Sequence, residues 1–408
     1  MGNFIVLINI MNLAIVSPYP PVFTGIGQYG YHISRILAGS GQFTDITVLA
    51  GAPASSQAVW SSQPLTVNYA WQPEHLGAGR VILSHLRHIN PDLVWYNLGA
   101  SMFGRSPLAN LLGIFSLNLV RLSGIPTVIT LHELVEQVDL RALNAPGGRL
   151  ARQGARILTN LATYADVVCL TMRRYVDWLS SHRPNLNCMY IPIGAYSRPE
   201  FLPEQASPEL LFFTSFAPFK GLEVLIEAYR SLLCQYPDLR LTVAGAEHPR
   251  FPGYAESLRR NFESLPGLCW LGQVPEDHVR ELFARAQIVV LPYIAATGSS
   301  SVLYQAAMWG RPLVVSDLPE IRSVTAESGL EVEFFKTGDA ASLAGTIQLL
   351  LDAPTLRRAQ ASHNFSAIQY VRPEEICRLY LQAFNMALET RHSSKRLVIP
   401  AATIVESI

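Results

Sequence analysis

Four short segments put chemically capable residues at the ends of apolar runs. The first is 18–27, where Gly25 and Gly27 stand ahead of an amphipathic stretch. Glycine there lets backbone N–H groups approach an anion at a helix N-terminus. The G-x-G-x-x-G spacing of Gly25, Gly27 and Gly30 lacks its usual company, because the acidic residue about 20 residues on, Asp45, falls before its predicted strand and not in the position that holds a ribose. A plain strand-to-helix turn is the alternative. The second is His132, just beyond the apolar run 126–131. A histidine in that place can hydrogen-bond a sugar hydroxyl or carry a proton near neutral pH, or be structural.

The third is Lys220, the first lysine of the chain, between the run 210–214 and an amphipathic stretch. A cation at a helix start opposes the macrodipole, so a shared anion such as a diphosphate explains it better than solvent does. The fourth is 292–302, in which Thr297, Gly298, Ser299, Ser300 and Ser301 lead into a helix. Small hydroxylic residues and glycine at a helix N-terminus supply donors for an anion, with capping by Ser299 or Ser300 as the plainer account. Apart from these, Arg149, Arg152 and Arg156 share one face of a predicted helix. Such a face suits an anionic membrane or simply water.

These segments need strands and helices to hold them. Short apolar runs alternate with longer amphipathic ones, the pattern of βα units around a parallel sheet. Strands are predicted at 13–17, 46–50, 93–96, 127–131, 167–170 and 188–191, with helices such as 26–39, 108–122 and 149–164 between them. The rhythm restarts with strands at 210–214, 239–244, 268–271, 288–291 and 312–315, and helices at 221–236, 275–286 and 300–309. From 338 to 389 the chain reads as helical, with Pro354 and Pro373 where new helices would start, and the tail after Arg391 as loosely ordered. Segment 194–208, rich in proline, serine and charge, reads as a linker. In open α/β sheets ligands sit beyond the carboxyl ends of the strands, where all four segments fall.

Formal net charge is zero, which gives no reason to expect a nucleic-acid partner. Residues 1–195 nevertheless carry 12 arginines, no lysine and 8 acidic residues, which is either ordinary surface charge or an N-terminal half that faces something anionic. Cys169, Cys188, Cys234, Cys269 and Cys377 are widely spaced and read as reduced core thiols, which argues for a cytoplasmic protein. Residues 1–10 lack a basic start and a small-residue cleavage site, and read as a strand extension or as residue from an upstream start. No apolar run is long enough for a membrane span.

Residues 218–221, 241–245, 271–275, 288–293 and 305–315, in that order and spacing, together resemble the donor domain of glycosyltransferase family 4. These are the retaining nucleotide-sugar transferases of GT-B architecture. Residues 191–194 look like the end of that family's N-terminal domain, and the resemblance covers about 11–389. It implies an α/β fold of two Rossmann-like, doubly wound domains facing across a cleft. Residues 11–195 would bind the acceptor and 205–371 the nucleotide sugar, with helix 373–389 packing back on the first. It implies catalytic roles for His132 and Lys220, the latter on the donor diphosphate. Gly25 and Gly27 would approach phosphate, and Thr297, Gly298, Ser299, Ser300, Ser301 and Val302 would surround sugar and diphosphate.

Three positions depart from the family. Ser215 stands where an arginine is usual, and Thr297 and Gln305 replace the paired carboxylates that hold sugar hydroxyls and ribose. The Gln305 amide can still meet a ribose hydroxyl. The resemblance therefore implies sugar transfer to a sugar or lipid-linked hydroxyl in polysaccharide or glycolipid assembly, with no metal or other cofactor. A peripheral contact on the inner face of the membrane, through Arg149, Arg152 and Arg156, is a further expectation. The alternative is a non-catalytic GT-B sugar-binding or partner subunit. A nucleotide-sugar epimerase would need carboxylates at the sugar, and an oxidoreductase a complete glycine fingerprint with its ribose acid.

Overall fold

Apolar runs such as Val167–Leu170, Ile288–Leu291 and Leu313–Ser316 are buried along their whole length, as strands covered on both faces must be. The computed structural model describes residues 11–22, 24–51, 60–99, 101–137 and 149–397, with backbone alone at 60, 149–151 and 392–397. Residues 1–10, Phe23 of the first loop and the tail from 398 lie outside the described residues.

The N-terminal half runs β1 (Met11–Val16), α1 (Gly25–Gly39), β2 (Phe43–Gly51), β3 (Trp60–Ser62), β4 (Leu65–Trp71), α2 (Ala78–Ile89), β5 (Leu93–Leu98) and α3 (Pro107–Leu122). It continues with β6 (Thr127–Leu131), α4 (Arg149–Ala162), β7 (Val167–Leu170), α5 (Arg173–His182) and β8 (Cys188–Tyr190). Its eight strands are ordered β3-β4-β2-β1-β5-β6-β7-β8. All pairs are parallel except the short β3 against β4.

After an irregular stretch come β9 (Glu209–Phe213), α6 (Leu222–Leu232), β10 (Arg240–Ala244), α7 (Tyr254–Phe262), β11 (Leu268–Gly272), α8 (Glu276–Arg285) and β12 (Ile288–Leu291). Then follow α9 (Ser301–Met308), β13 (Leu313–Ser316), α10 (Pro319–Ser328), β14 (Glu333–Phe335), α11 (Ala340–Asp352), α12 (Pro354–Ile368) and α13 (Pro373–Leu397). The second sheet is wholly parallel, ordered β11-β10-β9-β12-β13-β14. Sequence reasoning omitted β3, β4 and β14, and α13 extends past Arg391 as helix instead of loosening there.

Helix α13 returns to the first sheet and packs on α1, β6 and β7. Its Tyr380 hydroxyl lies 2.7 Å from that of Tyr29 and 2.8 Å from Thr130 Oγ1, which also takes the Trp95 indole N–H at 2.9 Å. Arg391 donates to Asp166 at 2.9 Å, and Arg121 reaches the same buried carboxylate at 3.2 Å. Between the sheets, the guanidinium of buried Arg311 donates to the carbonyls of Ala286, Trp309, Leu202 and Pro203, tying the irregular stretch to the second sheet. Burial holds this group down to about 10.

The cysteines are all unpaired, but only Cys169 and Cys377 are buried; Cys234 and Cys269 are exposed, correcting their assignment to the core. Among the described residues, no helix is long and apolar enough to cross a membrane.

Candidate active site

The site is assembled from loops at the carboxyl ends of β1, β5, β6, β9 and β12. After β1, Thr24 caps α1 by accepting the Gly27 N–H at 3.0 Å, so that donor is already engaged. Space beside Gly25 is open: a Cβ built there would meet nothing within 4 Å. At the end of β5, Asn97 is fully buried and donates its amide to Ser17 Oγ at 2.8 Å and to the Ile26 carbonyl at 2.9 Å. Asn97 thereby links the glycine loop to the next loop along the sheet.

That next loop holds His132, one residue past β6. Its Nε2 lies 2.7 Å from Asn97 Oδ1, and its ring stands edge-on to Tyr29 at 4.7 Å. The Ile26 carbonyl can only accept, so the Asn97 nitrogen must face it and the Asn97 oxygen must face His132. His132 Nε2 therefore carries the proton and Nδ1 keeps its lone pair. Burial pushes the imidazole down to about 3, so it is neutral at physiological pH.

In the second half, Lys220 closes a 3-10 turn, Pro218–Lys220, immediately before α6. Its Nζ lies 3.9 Å from the centre of the Tyr293 ring. Among the described residues it makes no ion pair. Gly221, at φ +69, follows: a Cβ there would be 1.9 Å from the Pro292 carbonyl oxygen, so only glycine lets the turn seat on the β12 loop. Nearby His248 is held down to about 4, by burial first and then by the charges of Lys220 and Arg250. Lys220 and Arg250 make this corner positive.

Tyr293 joins Lys220 to the serine loop. Its hydroxyl lies 3.1 Å from Ser300 Oγ and 3.4 Å from Thr214 Oγ1. Ser300 occupies the N-cap of α9 but makes no side-chain cap hydrogen bond, because its hydroxyl is turned to Tyr293. The first N–H groups of α9 are thus left without the capping that sequence reasoning offered as the plainer account. Ser299 Oγ is buried beside Tyr304 without a well-aligned hydrogen bond. Val302 is buried. Ser215 is half-buried and makes no side-chain hydrogen bond among the described residues.

The two halves meet here. A Cβ on Gly298 would lie 2.1 Å from the His132 carbonyl oxygen, so the loops are in backbone contact. Tyr175 of α5 donates its hydroxyl to the Thr297 carbonyl at 2.6 Å. Gln305 faces elsewhere: with Tyr31, His32, Tyr196, Glu276 and Trp309 it lines a cavity of about 300 Å³ between α1, α8 and α9. There His32 stacks on Tyr196 and reaches Glu276 at 3.3 Å. Arg152 and Arg156 are exposed on α4, beside α3 and apart from these loops; Arg156 pairs with Glu136 at 3.2 Å. The Arg149 side chain lies outside the described residues.

Asn97, Tyr29, Tyr175, Tyr293 and His248 were missed by sequence reasoning. Asn97 alone had a local signal, being a polar residue at the carboxyl end of an otherwise apolar strand. Among the described residues, no group of three or more His, Cys, Asp or Glu side chains is placed to hold a metal ion.

Residues 207–353 match the family described as Glycosyl transferases group 1. A phosphatidyl-myo-inositol mannosyltransferase of Mycolicibacterium smegmatis is 28% identical over 141 residues, which are 34% of this chain and 35% of that protein. A serotype-specific mannosyltransferase WbdA of Escherichia coli is 23% identical over 122 residues, 30% of this chain and 15% of that one. The chain thus spans about a third or less of the length of these curated relatives. Among solved structures, Anabaena Alr3699/HepE in complex with UDP and glucose superposes with a TM-score of 0.68 at 16% identity, covering 92% of this chain and 99% of that one. Sucrose-phosphate synthase from Thermosynechococcus elongatus gives 0.67 at 16% identity, covering 95% and 98%. The architecture is that of the GT-B glycosyltransferases, two parallel-sheet halves of one chain.

Proposed function

We propose that this GT-B chain is a retaining glycosyltransferase that moves a sugar from a nucleotide-sugar donor to a hydroxyl of a sugar or lipid-linked acceptor. The observation that carries this reading is the meeting of Lys220, Tyr293 and the uncapped start of α9 with His132 across the Gly298 contact. The Glycosyl transferases group 1 match over 207–353 supports it. So do the mannosyltransferase relatives and the UDP-and-glucose complex of a protein with the same fold.

In this reading the donor diphosphate lies at Lys220 and the N–H groups of Ser301 and Val302, with Thr297, Gly298, Ser299 and Ser300 around it. As the bond from the anomeric carbon to the diphosphate oxygen breaks, negative charge grows on the diphosphate, and Lys220 and the helix start stabilise it. The acceptor hydroxyl attacks from the same face and gives its proton to the departing oxygen. His132 Nδ1 accepts a hydrogen bond from a sugar hydroxyl. Gly25 and Gly27 border the phosphate, and Ser215 joins them from the loop between β9 and Lys220. Gln305 would meet the ribose from the side cavity. The cation and dipoles provide the electrostatic stabilisation, and no metal or other cofactor is part of the proposal.

Transfer takes place in the cytoplasm in this account, in glycolipid or polysaccharide assembly, with the Arg149, Arg152 and Arg156 helix touching the inner face of the membrane. Thr297 and Gln305, in place of carboxylates, favour one other reading, a non-catalytic sugar-binding subunit. A thermal-shift panel of nucleotide sugars tests both, since a ligand of the native state raises the melting temperature. A shift together with release of nucleoside diphosphate supports transfer. A shift without release favours the subunit, and no shift with any donor rejects both.

A further inference from the structure

Helices α2, α3 and α4 pack side by side over one face of the N-terminal sheet. None of the three contains an aspartate or a glutamate, and together they carry Arg80, Arg87, Arg121, Arg149, Arg152 and Arg156. Nearby carboxylates are engaged: Glu74 accepts the backbone N–H groups of Arg105 and Ser106, and Glu136 pairs with Arg156 and Arg183.

The middle helix adds a feature that charge does not explain. Leu108, Leu112, Phe115, Leu119 and Leu122 of α3 are 38–67% exposed. At 100° per residue their spacing puts them within about 80° of one another, along roughly 21 Å of helix. Buried Ala109, Gly113, Leu117 and Val120 occupy the opposite side, against the sheet. Ile157 of neighbouring α4 is 52% exposed as well. Isolated exposed apolar side chains are ordinary; four leucines and a phenylalanine in one stripe are an interaction surface. On either side of the stripe lie exposed arginines, Arg80 and Arg87 on α2 and Arg152 and Arg156 on α4.

We propose that α3 is a membrane-docking helix: the stripe enters the headgroup region of an anionic bilayer while the flanking arginines of α2 and α4 meet lipid phosphates. An apolar stripe bordered by cations, without acids, matches the surface of such a bilayer in both hydrophobicity and charge. A second copy of the chain would present the same arginines and repel across the contact. This deepens the membrane contact of the proposed function, moving its centre from the α4 arginines to the α3 stripe.

The test is co-sedimentation of the full chain with phosphatidylcholine vesicles, with and without phosphatidylglycerol. Wild type should pellet with the anionic vesicles only. Phe115→Ser with Leu119→Ser and Leu122→Ser should lower the bound fraction at least tenfold. Arg80→Glu with Arg87→Glu, which leaves the apolar positions intact, should do the same and keeps the test decisive if the triple variant misfolds. Failure of wild type to bind anionic vesicles overturns the proposal, as does equal binding by both variants. So does a concentration-dependent dimer that the triple variant dissolves without any vesicle binding. The thermal shift with nucleoside diphosphate, measured on the same samples, separates the outcomes: a retained shift with no vesicle binding removes the docking helix and leaves the donor site standing.

Discussion

Asn97 Oδ1 stands 2.7 Å from His132 Nε2, with the Asn97 amide nitrogen turned to the Ile26 carbonyl at 2.9 Å. One side chain thus fixes the tautomer of the histidine and the position of the glycine loop. Replacing Asn97 with Asp puts a carboxylate against the ring and should lift the His132 pKa toward neutrality. The rate of transfer should then show an acid-side inflection that wild type lacks between about pH 5 and 8. A wild-type inflection that disappears in His132→Gln would contradict the neutral imidazole.

Stability should follow the same shift. Burial lowers His132 from 6.5 to about 3, so the unfolded chain binds a proton there that the folded one refuses. The contribution is absent above about pH 6.5 and becomes a penalty that grows as pH falls toward 3. Denaturant melts of His132→Gln should therefore lose stability less steeply between pH 6.5 and 4 than wild type does. His248, held down to about 4, adds a parallel slope that His248→Gln should remove independently.

Gly298→Ala places a methyl 2.1 Å from the His132 carbonyl oxygen and must push the two loops apart. Backbone cannot yield as a flexible side chain can, so the two halves should close poorly. Transfer should fall about a hundredfold, the effect of a misplacement near 1 Å, with little change in melting temperature. Tyr175→Phe removes only the bond to the Thr297 carbonyl and should cost about 1 kcal/mol of transition-state binding, read from kcat/KM. Equal activity of Gly298→Ala and wild type would show that this contact has no part in turnover.

Asp166 is tested by stability alone. Its buried carboxylate accepts from Arg121, Arg391 and both the backbone and hydroxyl of Thr127. Asp166→Ala leaves two guanidinium groups without their anion and should cost about 3 kcal/mol in urea melts. Arg391→Ala should cost less, and mainly loosen α13, which hydrogen exchange would detect.

What was legible in the sequence follows from how local each signal is. β7 and β12 were found to the residue because their burial on both faces makes an unbroken apolar run, and β6 was found too although Thr127 and Thr130 interrupt its run. β4 escaped because Asn68 and half-buried neighbours interrupt it near the sheet edge. α10 escaped because PEIRSVTAES is short and rich in polar and β-branched residues, which carry little helical pattern. In the site, His132 and Lys220 were visible as polar residues at strand ends. Their partners were not, because parallel pairing of β5 and β6 sets Asn97 beside Thr130, and only that register brings Asn97 to His132. Tyr293 reaches Lys220 and Ser300 through folding of the β9 and β12 loops, and no spacing in the chain foretells it.

The central claim is that Lys220 meets the charge of a leaving diphosphate. Release of nucleoside diphosphate from a panel of nucleotide sugars, with wild type and Lys220→Ala side by side, tests it most directly. Wild type should turn over at least one donor, and Lys220→Ala should lose about 10²–10³ of that rate while its melting temperature stays the same. Near-normal turnover by a folded Lys220→Ala would contradict the account.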